Sequence, residues 1–426
     1  MVLNSTLPTD LPEWLAYIEA LHPKSIAMGL DRINLVRQRL NLSKSFPIII
    51  VGGTNGKGST CAMLERIYSA AGYHVACYTS PHLLAYNERV RVNEKNATDE
   101  DLCVAFTAVE AARHDTELTY FEFATLAAYW HFTQSNIDIA VLEVGLGGRL
   151  DAVNIFEPDC TIVSSIDLDH MDFLGSSREA IAYEKAGIFR KGIAAICGDQ
   201  NPPHTLIDHT KKIQADLRLI NHDFSFRAQA QTWTYTDVIG EIANLPLPAL
   251  TGTFQLYNAA SALTALRVMQ HRLPLDMSHI AEGLATVSLV GRFQKFSQQG
   301  MLILDVAHNP HAAAALADNL SNNVCSGRTL AVFAMLADKD IAGVVQAIKA
   351  NIDVWYLAGI QQKRGATAAQ LQTIIEQQHP SAKVHHFVDT TAAYRQACKD
   401  AAENDRIIAF GSFFTVADVM RTFPKA

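Results

Sequence analysis

The sequence predicts an α/β fold of two domains, in which short buried strands alternate with helices. The chain has 426 residues, which is too many for one ordinary hydrophobic core. Hydrophobic residues make up 49% of it and charged residues 18%, a globular composition that argues against a disordered or fibrous chain. Apolar runs of strand length alternate with segments of helical periodicity, and this alternation gives mostly parallel sheets.

The first domain is predicted over residues 1–289, and its clearest elements surround a glycine-rich turn. Residues 47–51 form a continuous apolar run that ends in two glycines, as a buried strand does. Residues 59–71 then place apolar side chains on one helical face, and Gly72 is a typical helix stop. Further strands are predicted at 73–78, 137–144 and 159–166, and further helices at 98–113, 121–134 and 176–189.

The middle of the chain is less regular, and a second domain is predicted after it. Residues 224–237 alternate as a hairpin does, and residues 254–269 have helical periodicity. A boundary is predicted near 289–291, after which the smaller domain, residues 290–426, resumes the α/β alternation. Its predicted strands are 301–306, 329–335, 354–357, 383–388 and 406–410.

Charge and cysteine usage restrict the partners and the compartment. The formal net charge is −8, from 35 Lys and Arg against 43 Asp and Glu, whereas a general nucleic-acid binder is normally basic. No run approaches the roughly 18 apolar residues of a membrane span, and the first residues lack a secretory signal pattern. The seven cysteines are scattered without a C-x-x-C pair. We expect a reduced, cytoplasmic protein with no nucleic-acid or membrane partner. A monomer is also expected, although neither charge nor cysteine usage bears on it.

The strongest motif is GTNGKGST at residues 53–60, between a predicted strand and a predicted helix. Its glycines let the backbone wrap a phosphate group, and the helix N-terminus supplies positive potential. Lys57 can reach the β- and γ-phosphates, and Ser59 or Thr60 can approach Mg²⁺. Gly58 separates Lys57 from Ser59, which departs from the usual G-x-x-x-x-G-K-[ST] spacing. A flexible βα turn is the alternative, but the order of strand, glycines, lysine, hydroxyls and helix favours a phosphate loop.

Two acidic segments follow other predicted strands. Glu143 lies near the carboxyl end of strand 137–144, where ligands of open α/β sheets gather and a carboxylate can hold Mg²⁺. Three carboxylates and His170 lie within residues 167–172, and such a group suits a divalent metal or its surroundings. A capped tight turn and a solvated acidic loop are the respective alternatives.

Several other polar residues are ambiguous when taken alone. Lys185 could be a surface lysine paired with a neighbouring glutamate. Asp305 and His308 follow a predicted strand of the second domain and repeat the combination of acid and imidazole. Asn258 and Arg292 carry no signal by themselves.

Nine ordered motifs span nearly the whole chain: GTNGKGST (53–60), TSPHL (79–83), TYFE (119–122), LEVGLGGRLDAVNI (142–155), DLDHMDFLG (167–175), EKAGIF (184–189), YNAASAL (257–263), GRFQ (291–294) and DVAHNPHA (305–312). Together they resemble the folylpolyglutamate synthase/dihydrofolate synthase family of the Mur ligase superfamily, and most closely its bacterial bifunctional members. The resemblance implies a P-loop-containing, Mur-ligase-like ATPase domain with a mostly parallel sheet, followed by a smaller, Rossmann-like α/β domain that serves as the C-terminal glutamate-ligase domain.

The resemblance also implies an ATP-dependent amide ligase, which adds L-glutamate to dihydropteroate and to reduced folates through an acyl phosphate. Catalytic roles would fall on Lys57, Glu143, His170, Lys185 and His308. ATP would contact Thr54, Asn55, Gly56, Lys57, Gly58, Ser59, Asn258, Arg292 and Asp305. Two Mg²⁺ ions would be held by Ser80, Glu143 and His170, and Lys185 resembles the lysine that this superfamily carbamylates. The pterin substrate would contact Ser25, Ile26, Ala27, Met28, Thr119, Tyr120, Phe121, Glu122, Leu150, Asp151 and Ala152.

Two departures from the family pattern bear on substrate preference. Val153 stands where the family usually has a small hydroxylated residue, and Ala27 stands where a related sequence has an acid. A Mur-type ligase of cell-wall precursors is the nearest alternative, although the TYFE and GRLDA segments favour the folate branch. A phosphate-loop switch that makes no amide and a non-catalytic nucleotide-binding module are the alternatives from other classes.

Overall fold

The computed structural model describes residues 7–24, 26–297 and 301–423, which form two compact units. One unit holds the chain up to Leu247 together with Tyr257–Val287. The other holds Pro248–Leu256 together with the chain from Ser288 onward. The α/β class predicted from the sequence is confirmed, because each unit contains a mostly parallel sheet connected by helices.

The main sheet of the first unit surrounds strand β1. Its strands are β1 (Ile48–Gly52), β2 (Val75–Tyr78), β3 (Val90–Val92), β4 (Lys95–Asn96), β5 (Ile139–Glu143), β6 (Cys160–Val163), β7 (Ala194–Cys197) and β8 (Asp216–Leu219). Within the described ranges they form one eight-stranded sheet in the order β4-β3-β2-β5-β1-β6-β7-β8. β1 pairs in parallel with β5 and with β6. Every residue of β1 is buried, and since successive side chains point to opposite faces, both faces of the sheet are covered.

The helices of the first unit connect these strands and cover them. They are α1 (Leu11–Ala20), α2 (Asp31–Arg39), α3 (Lys57–Ala70), α4 (Asp99–Arg113), α5 (Tyr120–Gln134), α6 (Met171–Leu174), α7 (Arg178–Ala186), α8 (His204–Ile213), α9 (Phe254–Met269) and α10 (Met277–Thr286), of which α9 belongs to this unit from Tyr257 onward. Thr98 and Thr119 precede α4 and α5 and form capping boxes with them. In each box the threonine hydroxyl accepts a backbone N–H of the helix, and a carboxylate three residues later accepts the backbone N–H of the threonine. The predicted helices at 98–113, 121–134 and 254–269 are confirmed.

A small antiparallel sheet follows the main one. The predicted hairpin is confirmed as β9 (Phe224–Ala228) and β10 (Thr232–Asp237), and a third strand, β11 (Gly240–Pro246), was not predicted. Trp233 and Tyr235 are buried, and the Tyr235 hydroxyl is 2.9 Å from the hydroxyl of Thr264 on α9. The small sheet is therefore anchored to the first unit through α9.

The second unit has its own sheet and core. Its strands are β12 (Gln294–Ser297), β13 (Met301–Leu304), β14 (Thr329–Phe333), β15 (Val354–Ala358), β16 (Lys383–Phe387) and β17 (Arg406–Phe410), and its helices are α11 (Pro310–Asn322), α12 (Ile341–Ile348), α13 (Ala368–Gln378), α14 (Thr390–Asp400) and α15 (Phe413–Met420). In the part of the unit that is described, the strand order is β12-β13-β17-β14-β15-β16, and only β12 is antiparallel to its neighbour. All five strands predicted from the sequence are confirmed, whereas β12 was missed.

Candidate active site

The motif at residues 53–60 forms a tight loop between β1 and α3 that requires glycine at two positions. Gly53 and Gly56 have φ angles of 138° and 91°, a region that other residues rarely adopt. A Cβ atom at Gly53 would lie 2.0 Å from the Ser164 hydroxyl oxygen, and one at Gly56 would lie 2.3 Å from Oδ1 of Asn258. The predicted ATP contact Asn258 therefore lies directly against the loop.

The end of β6 holds the other side of this loop. The Thr54 N–H donates to the Ser165 carbonyl at 2.7 Å, and the Asn55 N–H donates to the Ser165 hydroxyl at 3.1 Å. The hydroxyls of Ser164 and Ser165 in turn donate to the Asn55 carbonyl at 2.7 and 3.0 Å. These bonds fix the backbone of the loop. Nothing in the spacing of the sequence had identified the two serines.

Carbonyl groups of the phosphate loop hold two of its own side chains in place by hydrogen bonds. Nζ of Lys57 donates to the carbonyls of Gly53 and Thr54, at 3.1 Å each, so the ammonium group stays inside the curve of the loop. Gly58 and Ser59 lie in the first turn of α3, and Ser59 is buried. The Thr60 hydroxyl donates to the Gly56 carbonyl at 2.9 Å, so its proton is used within the helix.

Glu143 and Ser80 meet beside the phosphate loop. Glu143 is the last residue of β5, is buried, and lies opposite Val51 in the parallel register with β1. The Ser80 N–H donates to Oε2 of Glu143 at 3.0 Å, which joins the end of β5 to the turn that follows β2. The carboxyl ends of three neighbouring strands thus bring together two of the three predicted metal ligands.

Lys185 is a buried lysine in the last turn of α7. Burial, and after it the positive charge of Lys57, lower its pKa to about 7, although the charges of Asp169 and Asp151 oppose the shift. Lys185 therefore lies within electrostatic reach of Lys57 in the phosphate loop, of Asp169 and of Asp151. A lysine in this state is neutral in a large fraction of molecules near pH 7.

His170 occupies the start of α6 in a left-handed conformation, with φ 50° and ψ 40°. Its Nε2 atom is 3.9 Å from a carboxylate oxygen of Asp169, and 36% of its side chain is exposed. Asp169 is the carboxylate that also influences Lys185. The third predicted metal ligand is therefore connected to the same group of charges, and its imidazole is accessible.

The glycine-rich segment after β5 packs closely on α7. A Cβ atom at Gly148 would lie 2.8 Å from the Glu184 carbonyl oxygen, and the Arg149 guanidinium pairs with Glu184 at 2.8 Å. Asp151 accepts the N–H groups of Leu146 and Val153, at 2.8 and 3.0 Å. Burial raises the pKa of Asp151 to about 6, although these backbone bonds and the charge of Lys57 favour its ionised form.

The predicted pterin contacts are connected by one arginine that the sequence had not identified. Arg32 donates to Oε2 of Glu122 at 2.8 Å and also to the Ala27 carbonyl. Thr119 and Glu122 form the capping box of α5, so the motif TYFE has a structural explanation of its own. Glu122 is buried, and its second oxygen, Oε1, has no hydrogen-bond partner among the residues described.

The remaining predicted pterin contacts lie at the start of α5, in the segment after β5 and in the segment before α2. Tyr120 and Phe121 begin α5, and a Cβ atom at Gly145 would lie 2.5 Å from the Phe121 ring. Leu150 precedes the buried pair Asp151 and Ala152, whereas Ile26 and Met28 are half-buried on either side of Ala27. Ser25 lies outside the described residues.

The second unit brings together its own three predicted residues. Asp305 accepts the N–H groups of Phe293 and Ala307, each at 2.8 Å, and burial raises its pKa while the charge of Arg292 opposes the shift. Nδ1 of His308 is 2.8 Å from the Val306 carbonyl, which places a proton on that nitrogen. The Arg292 guanidinium lies 5.4 Å from the centre of the Phe413 ring, a contact for which the sequence gave no signal.

The donor set of the first unit fits a nucleotide with a divalent cation. A backbone that accepts only glycine at residues 53 and 56 provides space and N–H groups for phosphate oxygens, and Lys57 supplies positive charge. Glu143 and Ser80 lie together and offer oxygen ligands of the kind that Mg²⁺ or Mn²⁺ takes, and His170 would add a nitrogen ligand. In the described part of the chain, no group of three or more His, Cys, Asp or Glu side chains is arranged to hold a metal ion. Among the described residues, no helix is long and apolar enough to cross a membrane.

Two Mur ligase domain models and several named relatives match this chain. The Mur ligase middle domain matches residues 51–266, and the Mur ligase glutamate ligase domain matches residues 291–413. The dihydrofolate synthase/folylpolyglutamate synthase of Escherichia coli K12 is 44% identical over 97% of this chain and 95% of its own length. The Haemophilus influenzae protein of the same name is 39% identical over 98% of each chain.

Solved structures are similarly close. The E. coli FolC in complex with DHPP and ADP superposes with a TM-score of 0.92 at 44% identity, covering 97% of each chain. A bifunctional folylpolyglutamate synthase/dihydrofolate synthase with Mn, AMPPNP and L-glutamate bound has a TM-score of 0.90 at 43% identity, covering 97% of this chain and 98% of that one.

Proposed function

This chain belongs to the dihydrofolate synthase/folylpolyglutamate synthase family of Mur ligases, and on that basis we propose how its residues divide the work of the reaction. It is an ATP-dependent ligase that joins L-glutamate to dihydropteroate and to reduced folates. The single observation that best supports the assignment of residues is the arrangement of Glu143 beside the phosphate loop, through the register of β5 with β1.

The reaction needs activation because a carboxylate has no good leaving group. The substrate carboxylate attacks the γ-phosphorus of ATP, the bond to ADP breaks, and an acyl phosphate results. The amine of glutamate then attacks the acyl carbon, inorganic phosphate leaves, and one proton is lost from nitrogen. Lys57, held inside the loop by two carbonyls, stabilises charge that develops on the transferred phosphoryl group.

Ser80, Glu143 and His170 would hold the divalent cation, which supplies charge neutralisation between the two anionic reactants when it is bound. The Ser80 N–H keeps Oε2 of Glu143 in place through a hydrogen bond of 3.0 Å. Thr54, Asn55, Gly56, Gly58, Ser59 and Asn258 would contact the nucleotide. Residues 1–289 would act as the ATP and pterin domain.

Lys185 is proposed to be carbamylated. A neutral lysine amine attacks CO₂, a C–N bond forms, and one proton is released, which leaves a negatively charged carbamate. Burial already places the pKa of Lys185 at about 7, and the positive charge of Lys57 lies within electrostatic reach of the product. The carbamate would add an oxygen ligand for a second cation.

The pterin is proposed to lie against residues 26–28, 119–122 and 150–152. Oε1 of Glu122 supports this placement, because a buried carboxylate oxygen without a partner in the described chain can accept an N–H of a pterin ring. Arg32 donates hydrogen bonds to Glu122 and to the Ala27 carbonyl. The two segments are therefore close enough for one ligand to contact both. Ala27 and Val153 are the positions expected to affect the preference between pterins.

Residues 290–426 would act as the glutamate-ligase domain, with Arg292 and Asp305 contacting ATP and His308 acting in the ligation step. Asp305 is buried with both oxygens bonded to backbone N–H groups, which fixes its orientation. A cell-wall precursor ligase would share this arrangement, but the relatives above favour the folate reaction. The cytoplasmic location and the monomeric state stay predictions.

The test is ATP-dependent incorporation of labelled L-glutamate by the purified protein. Dihydropteroate and tetrahydrofolate should each become labelled, and a UDP-linked muramyl precursor with its own amino acid should not. Labelling of only one pterin would restrict the function to a specialised ligase. Phosphate release without any acceptor would instead support a switch ATPase and contradict the proposal.

A further inference from the structure

Arg91 is a half-buried arginine outside the predicted site, and its guanidinium group connects three elements. It lies on β3, paired with Cys77 of β2, and 17% of its side chain is exposed. Nη2 donates to Glu65 at 2.7 Å and to the Cys77 sulfur at 3.2 Å, and Nε lies 3.1 Å from both Glu65 oxygens. Nη1 donates to the Glu88 carbonyl at 2.7 Å and to the Thr79 hydroxyl at 3.0 Å.

One end of this connection is the helix of the phosphate loop. Glu65 lies on α3, the helix that begins at Lys57, and only 6% of its side chain is exposed. A buried ion pair is tolerated when its remaining polar atoms are bonded, and here every N–H of Arg91 has an acceptor. The pair therefore fixes β3 to α3 with the geometry of a bidentate contact.

The other end is the turn that carries Ser80. The Thr79 hydroxyl accepts a hydrogen bond from Nη1 of Arg91, and the Thr79 N–H donates to the Arg89 carbonyl at 3.0 Å. The next residue, Ser80, donates its N–H to Glu143 at 3.0 Å. An unbroken series of bonds thus runs from α3 through Arg91 and Thr79 to the two proposed cation ligands.

We propose that Arg91 is a positioning residue that sets Ser80 and Glu143 at a fixed distance from the phosphate loop, so that both meet a cation bound to the nucleotide. Glu65 and Thr79 are its partners in this role. The proposal rests on the proposed function only in taking Ser80 and Glu143 as cation ligands.

The test measures Mn²⁺ binding without turnover. Free Mn²⁺ is quantified by electron paramagnetic resonance as the protein is titrated with the ion in the presence of AMPPNP, and a parallel titration without protein gives the Mn²⁺ that AMPPNP binds by itself. The double variant Glu65→Leu with Arg91→Met removes the ion pair without leaving one charge buried alone. We expect Mn²⁺ to bind about ten-fold or more weakly, which is typical for loss of a group that orients a metal ligand. The dissociation constant of a fluorescent nucleotide without metal should stay within about two-fold of the wild-type value. Substitutions that do not contact a ligand usually change its affinity by no more than this.

Two further comparisons separate positioning from general stability. Glu110→Leu with Arg113→Met removes another half-buried ion pair of the same unit, whose side chains are 14% and 11% exposed, and should leave Mn²⁺ binding unchanged. Thr79→Val removes the hydroxyl that accepts from Arg91 and should weaken Mn²⁺ binding, whereas Thr79→Ser retains the hydroxyl and should restore it.

The outcomes are distinguishable. Wild-type Mn²⁺ binding from both Glu65→Leu/Arg91→Met and Thr79→Val, while Glu143→Gln loses it, would overturn the role of Arg91 and leave the proposed function intact. Equal weakening in the Glu110→Leu/Arg113→Met control would also overturn it, because the effect would then follow from any lost ion pair. If Glu143→Gln binds Mn²⁺ like the wild type, the cation ligands themselves are wrongly assigned.

Discussion

Lys57 is the side chain on which the phosphoryl-transfer step depends most directly. Replacing Lys57 with alanine should lower glutamate incorporation at least about 100-fold, because one charge-stabilising donor is lost from the transition state. The measurement is the initial rate with saturating ATP and dihydropteroate. Lys212→Ala, an exposed lysine of the same unit, is the control and should keep the wild-type rate. A folded Lys57→Ala protein with near-normal turnover would contradict the assignment.

The carbamylation of Lys185 is predicted to depend on pH. Because burial lowers the pKa of Lys185 to about 7, the amine is mostly neutral at pH 8 and mostly protonated at pH 6. Only the neutral amine attacks CO₂, so a carbamate signal in ¹³C NMR with labelled bicarbonate should be strong at pH 8 and decrease towards pH 6. The variant Lys185→Arg should lack the signal at both values, and a signal that survives this substitution would assign it to another lysine.

The position of a residue in the fold could be predicted from the sequence where a motif follows a strand. Glu143 is such a case, since the end of a buried strand is where ligand-binding groups of α/β sheets occur. Ser164, Ser165 and Arg32 could not be predicted, because their role depends on bonds to residues far away in the sequence. Thr119 and Glu122 had a local explanation as a capping box, which the spacing T-x-x-E by itself would have given.

A side chain at Gly56 would force the phosphate loop or Asn258 to move. In Gly56→Ala the new Cβ atom would lie 2.3 Å from the Asn258 side chain, at a φ of 91°. We expect nucleotide binding to weaken at least about ten-fold, since a loop that must shift no longer presents its N–H groups together. Isothermal titration with AMPPNP provides the measurement.

Gly72→Ala is the matched control for this experiment. Gly72 has a similar φ of 82°, but a Cβ atom there would meet nothing within 4 Å. The control should therefore lose about 1 kcal/mol of unfolding free energy from backbone strain alone and retain nucleotide binding. Equal binding losses in the two variants would show that strain and not space limits the loop.

Helices and long strands were predicted better than short strands. α4, α5 and α9 have caps or sustained periodicity, and each was predicted to within about two residues, the uncertainty of such boundaries. β3 and β4 have three and two residues, which is too short for a period of two to be visible. β7 is rich in alanine, which has little preference for strands, so its position follows from burial between its neighbours.

Binding of a nucleotide should stabilise the molecule measurably. A ligand that binds only the folded state at about 100 times its dissociation constant adds about 2.7 kcal/mol. AMPPNP with Mg²⁺ should therefore raise the thermal midpoint by several degrees, as measured by differential scanning fluorimetry. Glu143→Gln should reduce the shift obtained with Mg²⁺, and a shift that is independent of both the ion and Glu143 would contradict the proposed cation site.

The overall α/β class followed from composition and alternation, but the arrangement of strands did not. Periodicity indicates that 47–51 and 137–144 are buried strands without indicating that they are neighbours. Pairing of β1 with β5 and β6 is a property of the whole chain, because it depends on which packing buries the most apolar surface. The sequence pattern also did not indicate that α9 is divided between the two units. That division, too, is a property of the whole chain.

The position of β1 has a consequence for synthesis on the ribosome. Both neighbours of β1 are made much later than β1 itself, since they begin at Ile139 and Cys160, and the lysine of α7 is made later still. The emerging N-terminal part of the chain therefore contains a complete phosphate-loop sequence without the strands that support it. Until β5 and β6 have emerged, the apolar segment of β1 lacks the strands that pair with it in the folded protein, and we expect the nascent chain to need a chaperone.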